Sequence, residues 1–442
     1  MAKEKKTENQ VMENLISLAK RRGFIFQGSE IYGGLAGTWD YGPLGVALKQ
    51  NIKNIWWKRF VTDRDDMYGM DAAILMNQTA WKASGHVAGF SDPLSECKIC
   101  KHRFRTDQLD DQKVCPDCGG KLSSPRQFNM MFKTNVGAVE TEESVSYLRP
   151  ETAQGMFVNF KNILDTFHPK LPFGMAQIGK AFRNEIAPRD FIFRVREFEQ
   201  MEIEYFVDPK DWEKTFDHFV AEVHAFIADC GITKELVSEN EIAKDSLAHY
   251  SKRTIDFEFE YPFGKKELYG LAYRTDFDLK AHSEMSKVDL SYFDEEKKVR
   301  FIPHVIEPSF GVDRTVLAVL TSAYAEDELG GEKRVYLKLS PNVAPVKVAV
   351  FPLLKNKEVL TDKAQEIYKV LKGEFGAVMY DEAGSIGKRY RKQDEIGTPY
   401  CVTVDFDTVE KGIATVRDRD TGEQEKVKLD DLTSYLAQKL GK

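Results

Sequence analysis

Four of the six cysteines fall into two pairs, Cys97-x-x-Cys100 and Cys115-x-x-Cys118, with fourteen residues between them and Pro116, Gly119 and Gly120 beside the second. Two short knuckles at that spacing turn their thiolates toward one point, and four sulfurs complete a tetrahedral shell for Zn²⁺ with no open position. Such a site is structural. A redox role is the competing reading of a single Cys-x-x-Cys, but two pairs at ribbon spacing favour metal. Cys230 and Cys401 stand alone in apolar surroundings, which fits a reducing compartment and not a disulfide framework.

A second set of chemically capable residues lies within 174–207. A period of two puts Gln177, Gly179, Arg183 and Glu185 on one face of a strand, with Ala176, Ile178 and Phe182 on the other. The next strand repeats the pattern, with Phe198, Gln200, Glu202 and Glu204 opposite Met201, Ile203 and Tyr205. Pro188, Arg189, Asp190, Arg194 and Arg196 make the charged loop between them. A solvated hairpin would explain one such strand. Two adjacent strands turning carboxylates, amides, a ring and arginines to one side suit the floor of an anion-binding site.

Two further stretches place charge at element ends. Ser146 to Gly155 reads as a strand and loop before a helix from Met156 to Leu164, so Glu151 is either a favourable helix-end charge or a ligand. Pro303 to Arg314 reads as a strand ending at Glu307, a turn on Pro308 and a helix starting near Gly311, whose free N–H groups and Arg314 could receive a phosphate.

The elements that must hold these groups follow from apolar spacing. Helical periodicity covers Val11 to Arg22, Leu44 to Phe60 and Trp212 to Ala228, and alternation predicts strands at Thr254 to Tyr261 and Glu267 to Tyr273. Trp57 on the second helix suits either a subunit interface or burial within the chain. The tract 31–43, with four glycines and a proline, must turn and reads as structural. Ser340 to Pro345 reads as a linker. Beyond it, strands at 346–351, 377–380 and 401–404 and helices at 362–375 and 430–440 alternate as in a separate α/β domain. In its loop, Lys388, Arg389, Arg391 and Lys392 surround Tyr390, a cluster that fits RNA or a solvated surface.

With 442 residues and 42% hydrophobic content the chain can fill two or three domain cores. A formal charge of −7 gives no global signature of nucleic-acid binding, so local patches must carry any such claim. The charged start MAKEKKTENQ has no apolar run behind it and no stretch of membrane-spanning length occurs, so a soluble, cytoplasmic protein with no membrane partner is expected.

Taken together, Phe182-Arg183-Asn184-Glu185 with Arg196-Glu197-Phe198 resembles motif 2 of the class II aminoacyl-tRNA synthetases, and Gly311-Val312-Asp313-Arg314 resembles motif 3. WDYGPLGVALKQNI, Ser84-Gly85-His86, RPETAQG, EFEQMEIEYF and PHVIEPSFGVDR are similar to the dimeric glycyl-tRNA synthetases within that class, and GKRYRKQDEIGTPYC is similar to the anticodon-binding domain several of them share. Motif 1 departs from the pattern, because Asp71-Ala72-Ala73-Ile74 lacks the usual proline. The resemblance implies an α+β fold: a class II catalytic domain over 1–340 built on an antiparallel sheet with flanking helices, a zinc-ribbon insertion at 91–125, and an α/β anticodon-binding domain over 341–442.

What the resemblance implies for function is ATP-dependent joining of glycine to the 3′ end of its tRNA through glycyl-adenylate, by a homodimer. Arg183 and Arg314 are then the catalytic arginines, on the α- and γ-phosphates, with Arg194 or Arg196 as helper. Glu185 meets adenine or the bound metal, Phe198 stacks on adenine, and Asn184, Phe193, Glu267, Leu268 and Gly311 complete the ATP site. Glu267 or Glu307 holds Mg²⁺. Glycine falls to Glu151, Phe198, Gln200, Glu202, Glu307 and Ser309, with Arg274 and Arg105 for its carboxylate and the neighbouring acids. Lys388, Arg389, Arg391 and Lys392 are the tRNA contacts. A catalytically silent RNA-binding relative, or a class II synthetase for another small amino acid, are the alternatives.

Overall fold

Alternating side chains build a central sheet whose strands, in chain order, are β1 (Met67–Met70), β2 (Phe173–Phe182), β3 (Glu197–Val207), β4 (Val237–Glu241), β5 (Arg253–Tyr261), β6 (Gly264–Thr275) and β7 (His304–Gly311). They lie in the order β4-β5-β6-β7-β3-β2-β1, antiparallel except that β1 runs parallel to β2. The computed structural model describes residues 2–441, the side chains of 2–9 apart.

One face of this sheet is apolar. Met201, Ile203, Leu271, Ile306 and Phe310 are fully buried there and join one core with the helices Pro43–Trp57, Trp212–Asp229 and Val312–Ala323. Each such side chain withdrawn from water stabilises the fold by roughly 1.5–3 kcal/mol. Trp57 is half-buried against this core, and its ring occupies the space a side chain on Gly69 would need, so it is used within the chain.

The opposite face is divided. At one end Phe173, Met175, Phe206 and Val305 pack with Phe157 and Phe160 in a smaller apolar cluster. At the other end the register aligns Gln177, Glu202, Ser309 and Gly270 in a row across β2, β3, β7 and β6. This polar end is not solvated, since Gln177, Gln200, Glu202 and Glu204 are all buried.

Several elements differ from their sequence expectation. The chain does not turn at Pro308; β7 continues to Gly311, and its ladder with β3 omits only Glu307 and Pro308, where proline has no N–H to give. The helix expected over 156–164 is two short helices, Ala153–Phe157 and Phe160–Phe167. The tract 340–345 is no free linker, because Val343 and Ala344 are fully buried in the main core and both their carbonyls accept from Asn51 Nδ2 at 3.1 Å.

After it, strands Val348–Pro352, Val378–Tyr380, Tyr400–Val404, Ile413–Asp418 and Gln424–Lys428 form a second sheet with its own apolar core. The segment carrying Lys388 to Lys392 is not a loop but part of the helix Ile386–Ile396. The cysteine region forms a three-stranded sheet from Ser91–Glu96, Arg103–Arg105 and Arg126–Asn129.

Candidate active site

The polar end of the sheet opens into a cavity of about 310 Å³. Arg183, Glu185, Phe193, Arg194, Phe198, Glu267, Leu268, Gly311 and Arg314, all expected at an ATP site, line it together. The loop joining β2 to β3 reaches it because Phe191, Ile192, Phe193 and Val195 bury their side chains; Phe193 meets Tyr261 and Phe263 at 5.2 Å each. The charged residues of this loop were legible in the sequence, and its apolar anchor was not.

Four arginines face the cavity, and their partners distinguish them. Arg183 donates to the carbonyl of Pro150 at 3.0 Å and its guanidinium lies 5.2 Å from the Phe198 ring, with no carboxylate partner among the described residues. The Arg194 side chain bonds the amide oxygen of Gln108 at 2.9 Å; desolvation first, then Arg189, Arg105 and Arg314 nearby, lower its pKa against the pull of Glu185. Arg314 sits over Phe193 and pairs with Glu267 at 3.1 Å. Arg314 is the first cause of the lowered pKa of Glu267, acting against burial. A polyanion entering here would meet a positive wall that arginine forks suit.

Three of the expected residues are placed differently from the rest. Arg196 lies outside the cavity lining and donates to the carbonyls of Ala36 at 2.6 Å and Glu185 at 3.1 Å, which ties the glycine-rich tract to the loop. Asn184 also lies outside the lining, where its backbone N–H bonds the carbonyl of Met130 at 2.7 Å. Arg105, expected with the glycine ligands, lines the same cavity as the other arginines and is held by Asp92 and Asp107 at 2.8 and 2.7 Å.

The acidic pocket adjoins this cavity. Glu202 accepts from Thr152 Oγ1 at 2.5 Å, Ser309 Oγ at 2.8 Å and Gln200 Nε2 at 3.3 Å. Gln200 and Ser309 also line the cavity, so the two compartments share a wall. Glu151 takes Gln154 Nε2 at 3.1 Å and faces His86 Nε2 at 3.3 Å. Burial would raise its pKa, but His86 and Arg274 hold it well below the usual carboxylate range. Burial, then the charge of Glu151, pushes Glu202 upward.

Arg274 is bound to the neighbouring acids through three of its five N–H groups. Its Nε and Nη2 bond Asp278 at 2.8 and 2.9 Å, its Nη1 bonds Glu307 at 2.7 Å, and Tyr250 lies 3.9 Å beneath it. Burial, against the pull of Arg274, pushes Glu307 up to about 8; it lies outside the cavity lining, whereas Glu267 lies inside it.

Sequence reasoning missed Thr152, Asp278, Gln108 and the partner role of His86. Thr152 lies in the quoted RPETAQG tract and His86 in Ser84-Gly85-His86, but nothing in Asp278 or Gln108 marks them before folding brings them in. Behind Gly179 lies buried Arg149, whose Nη2 would stand 2.2 Å from any Cβ there, so a side chain at that position would have to displace the guanidinium.

The four thiol sulfurs of Cys97, Cys100, Cys115 and Cys118 lie within 4.8 Å of one another, with Cys97–Cys118 at 3.5 Å and Cys100–Cys115 at 3.7 Å. Four Zn–S bonds of about 2.3 Å would set sulfurs about 3.8 Å apart, so the donor set fits Zn²⁺. In the C-terminal unit, Arg389 is buried and donates to the carbonyls of Pro352 and Leu353, which removes it from any RNA surface. Lys388 is exposed, while Arg391 and Lys392 pair with Glu332 and Asp381 at 2.9 Å each. A larger cleft of about 1040 Å³, between Arg64, His168 and Arg300, contains none of these residues.

Residues 132–323 match the family model of the class II tRNA synthetase core domain for G, H, P, S and T, and residues 347–439 match that of the anticodon binding domain. The chain is 49% identical to the glycine–tRNA ligase of Clostridium acetobutylicum, over 98% of this chain and 99% of the relative. It is 50% identical to that of Caldanaerobacter subterraneus (97% and 98% covered) and 51% to that of Acetivibrio thermocellus (96% and 97%). Among the described residues no helix is long and apolar enough to cross a membrane.

Proposed function

The chain belongs to the glycine–tRNA ligase family of class II aminoacyl-tRNA synthetases, and from that premise we propose how its sheet activates glycine with ATP and passes it to tRNA. One observation carries the assignment of sites: Gln200 and Ser309 line the arginine cavity and also hydrogen-bond Glu202. A small substrate held by the acids therefore presents its far end to the arginines.

Glycine's carboxylate is already a nucleophile, so adenylate formation needs alignment and charge neutralisation more than a base. Its ammonium lies with Glu151 and Glu202, beside Thr152 and Ser309, which hydrogen-bond Glu202. Arg183, free of any carboxylate, takes the α-phosphate, where charge develops as pyrophosphate leaves. Phe198 supports adenine, Arg314 and Arg194 hold the distal phosphates, and Arg105 adds positive charge to the same wall. Mg²⁺ with Glu267 would neutralise phosphate oxygens. Transfer then releases AMP as the terminal ribose hydroxyl of tRNA attacks the glycyl carbonyl. No smaller amino acid competes, so no editing site is needed.

Zn²⁺ on the four thiolates would fix the insertion that carries Arg105. Lys388, Arg391 and Lys392 are the proposed tRNA contacts of the anticodon-binding domain. The domains run 1–340, with the insertion at 91–125, and 341–442, in a cytoplasmic homodimer. Exposed Ile31, Tyr32, Leu35 and Val46 support pairing of two chains.

The experiment is glycine-dependent ATP–pyrophosphate exchange, with the active species sized by light scattering. Exchange with glycine by a species of twice the chain mass is expected, and Arg183→Ala should lower it by at least about a hundredfold while remaining folded. Faster exchange with alanine or serine, or none with glycine, overturns the reading.

A further inference from the structure

The turn at 84–90 carries Ser84-Gly85-His86 and Phe90, none of which binds substrate in the scheme above. Gly85, at φ 82°, reverses the chain so that the side chains on either side of it meet. Ser84 Oγ lies 2.8 Å from His86 Nδ1, and His86 Nε2 lies 3.3 Å from Glu151 Oε2. The imidazole is wedged between Trp81 at 5.5 Å and Phe90 at 5.3 Å, and Asn129 Nδ2 pins the turn by donating to the carbonyls of His86 and Val87. The other oxygen of Glu151 is bonded by Gln154.

We propose that His86 is a positioning residue for the substrate ammonium, acting through Glu151. Facing a carboxylate, Nε2 carries a proton and donates it to Glu151 Oε2, which fixes the carboxylate's rotation and leaves its remaining lone pairs to the ammonium. This rests on the reading of Glu151 as an ammonium ligand.

Other groups face this ring. His282 of the helix Phe277–Ser286 lies near enough that burial first, then His86, lower its pKa against the opposing pull of Asp278. His249 lies near Gly85, Arg274 and Asp278 stand behind Glu151, and Arg183 stands across Phe90 at 5.4 Å.

Pyrophosphate exchange on the full chain makes the test. His86→Ala should raise the glycine KM at pH 8 about tenfold or more, with the ATP KM and thermal midpoint little changed. His86→Gln keeps an N–H for Glu151 and should restore most of the affinity. Equal effects of His86→Ala on both KM values, or no recovery of the glycine KM in His86→Gln, overturn the proposal. A wild type that shows no exchange with glycine overturns the proposed function instead.

Discussion

Glu204 shows what a single residue in this sheet can do to stability. It is fully buried, and among the described residues neither carboxyl oxygen has a hydrogen-bond partner, unlike Glu202 two positions earlier. Burial first, and the charge of Glu307 second, raise its pKa well above the ordinary carboxyl value, so it stays protonated in the fold. In the unfolded chain it ionises near 4.3. For a raised folded value the contribution is fully present below the unfolded pKa and is lost as pH rises toward the folded one, at about 1.4 kcal/mol per pH unit. Glu204→Gln ionises in neither state, so its melting temperature should lie near that of the wild type at pH 4.5 and increasingly above it by pH 8. Parallel Tm profiles would sink the assignment. Alternation put Glu204 and Glu202 on the same polar face, yet the donors that separate them, Thr152 and Ser309, come from distant segments that no spacing predicts.

At the scale of elements, strand and helix periodicity located most of the catalytic framework, because one-sided burial writes itself into the sequence. It failed where tertiary contacts overrode local preference. Pro308 reads as a turn but continues β7, since strands on both sides hold the chain extended. The helix Ile386–Ile396 was hidden by its charges, two of which, Arg389 and Asp394, point inward. The cysteine spacing predicted a converging thiol set but not what the insertion braces. Gln108, on the turn after Arg103–Arg105, accepts from Arg189 Nη2 at 3.0 Å and Arg194 Nη1 at 2.9 Å. Through this amide the insertion holds the loop that lines the arginine cavity. Gln108→Ala should raise the ATP KM in exchange about three- to tenfold, the worth of one or two exposed hydrogen bonds to charged groups, and leave the glycine KM alone. An unchanged ATP KM would mean that the loop is held by Phe191 and Phe193 without help.

For the whole molecule, the sequence divides the chain at 340–345, and the family models meet on either side of that tract, but the two units are not loosely strung. Glu395 receives Arg21 and Arg22 from the first helix, and Arg419 donates to the carbonyls of Leu339 and Gly397 at 2.9 and 2.8 Å. At the centre of the junction is Asp394, bound by Arg417 at 2.7 and 3.0 Å within its own unit and by Arg334 of the strand Glu332–Leu337 at 3.2 Å. All three side chains are buried, so removing the shared carboxylate strands Arg417 in low dielectric and leaves Arg334 to Asp327 alone, a loss of about 3–5 kcal/mol. None of the residues that line the arginine cavity is among these contacts. Asp394→Asn should therefore keep glycine-dependent pyrophosphate exchange near the wild-type rate while tRNA charging falls, because the anticodon-binding unit no longer holds a fixed distance from the sheet. Hydrogen exchange should quicken in the strands 332–337 and 413–418 and not in β2 or β3. Equal loss of exchange and charging would show that the junction supports the catalytic domain itself, and unchanged charging would show that its rigidity is not needed to span the tRNA.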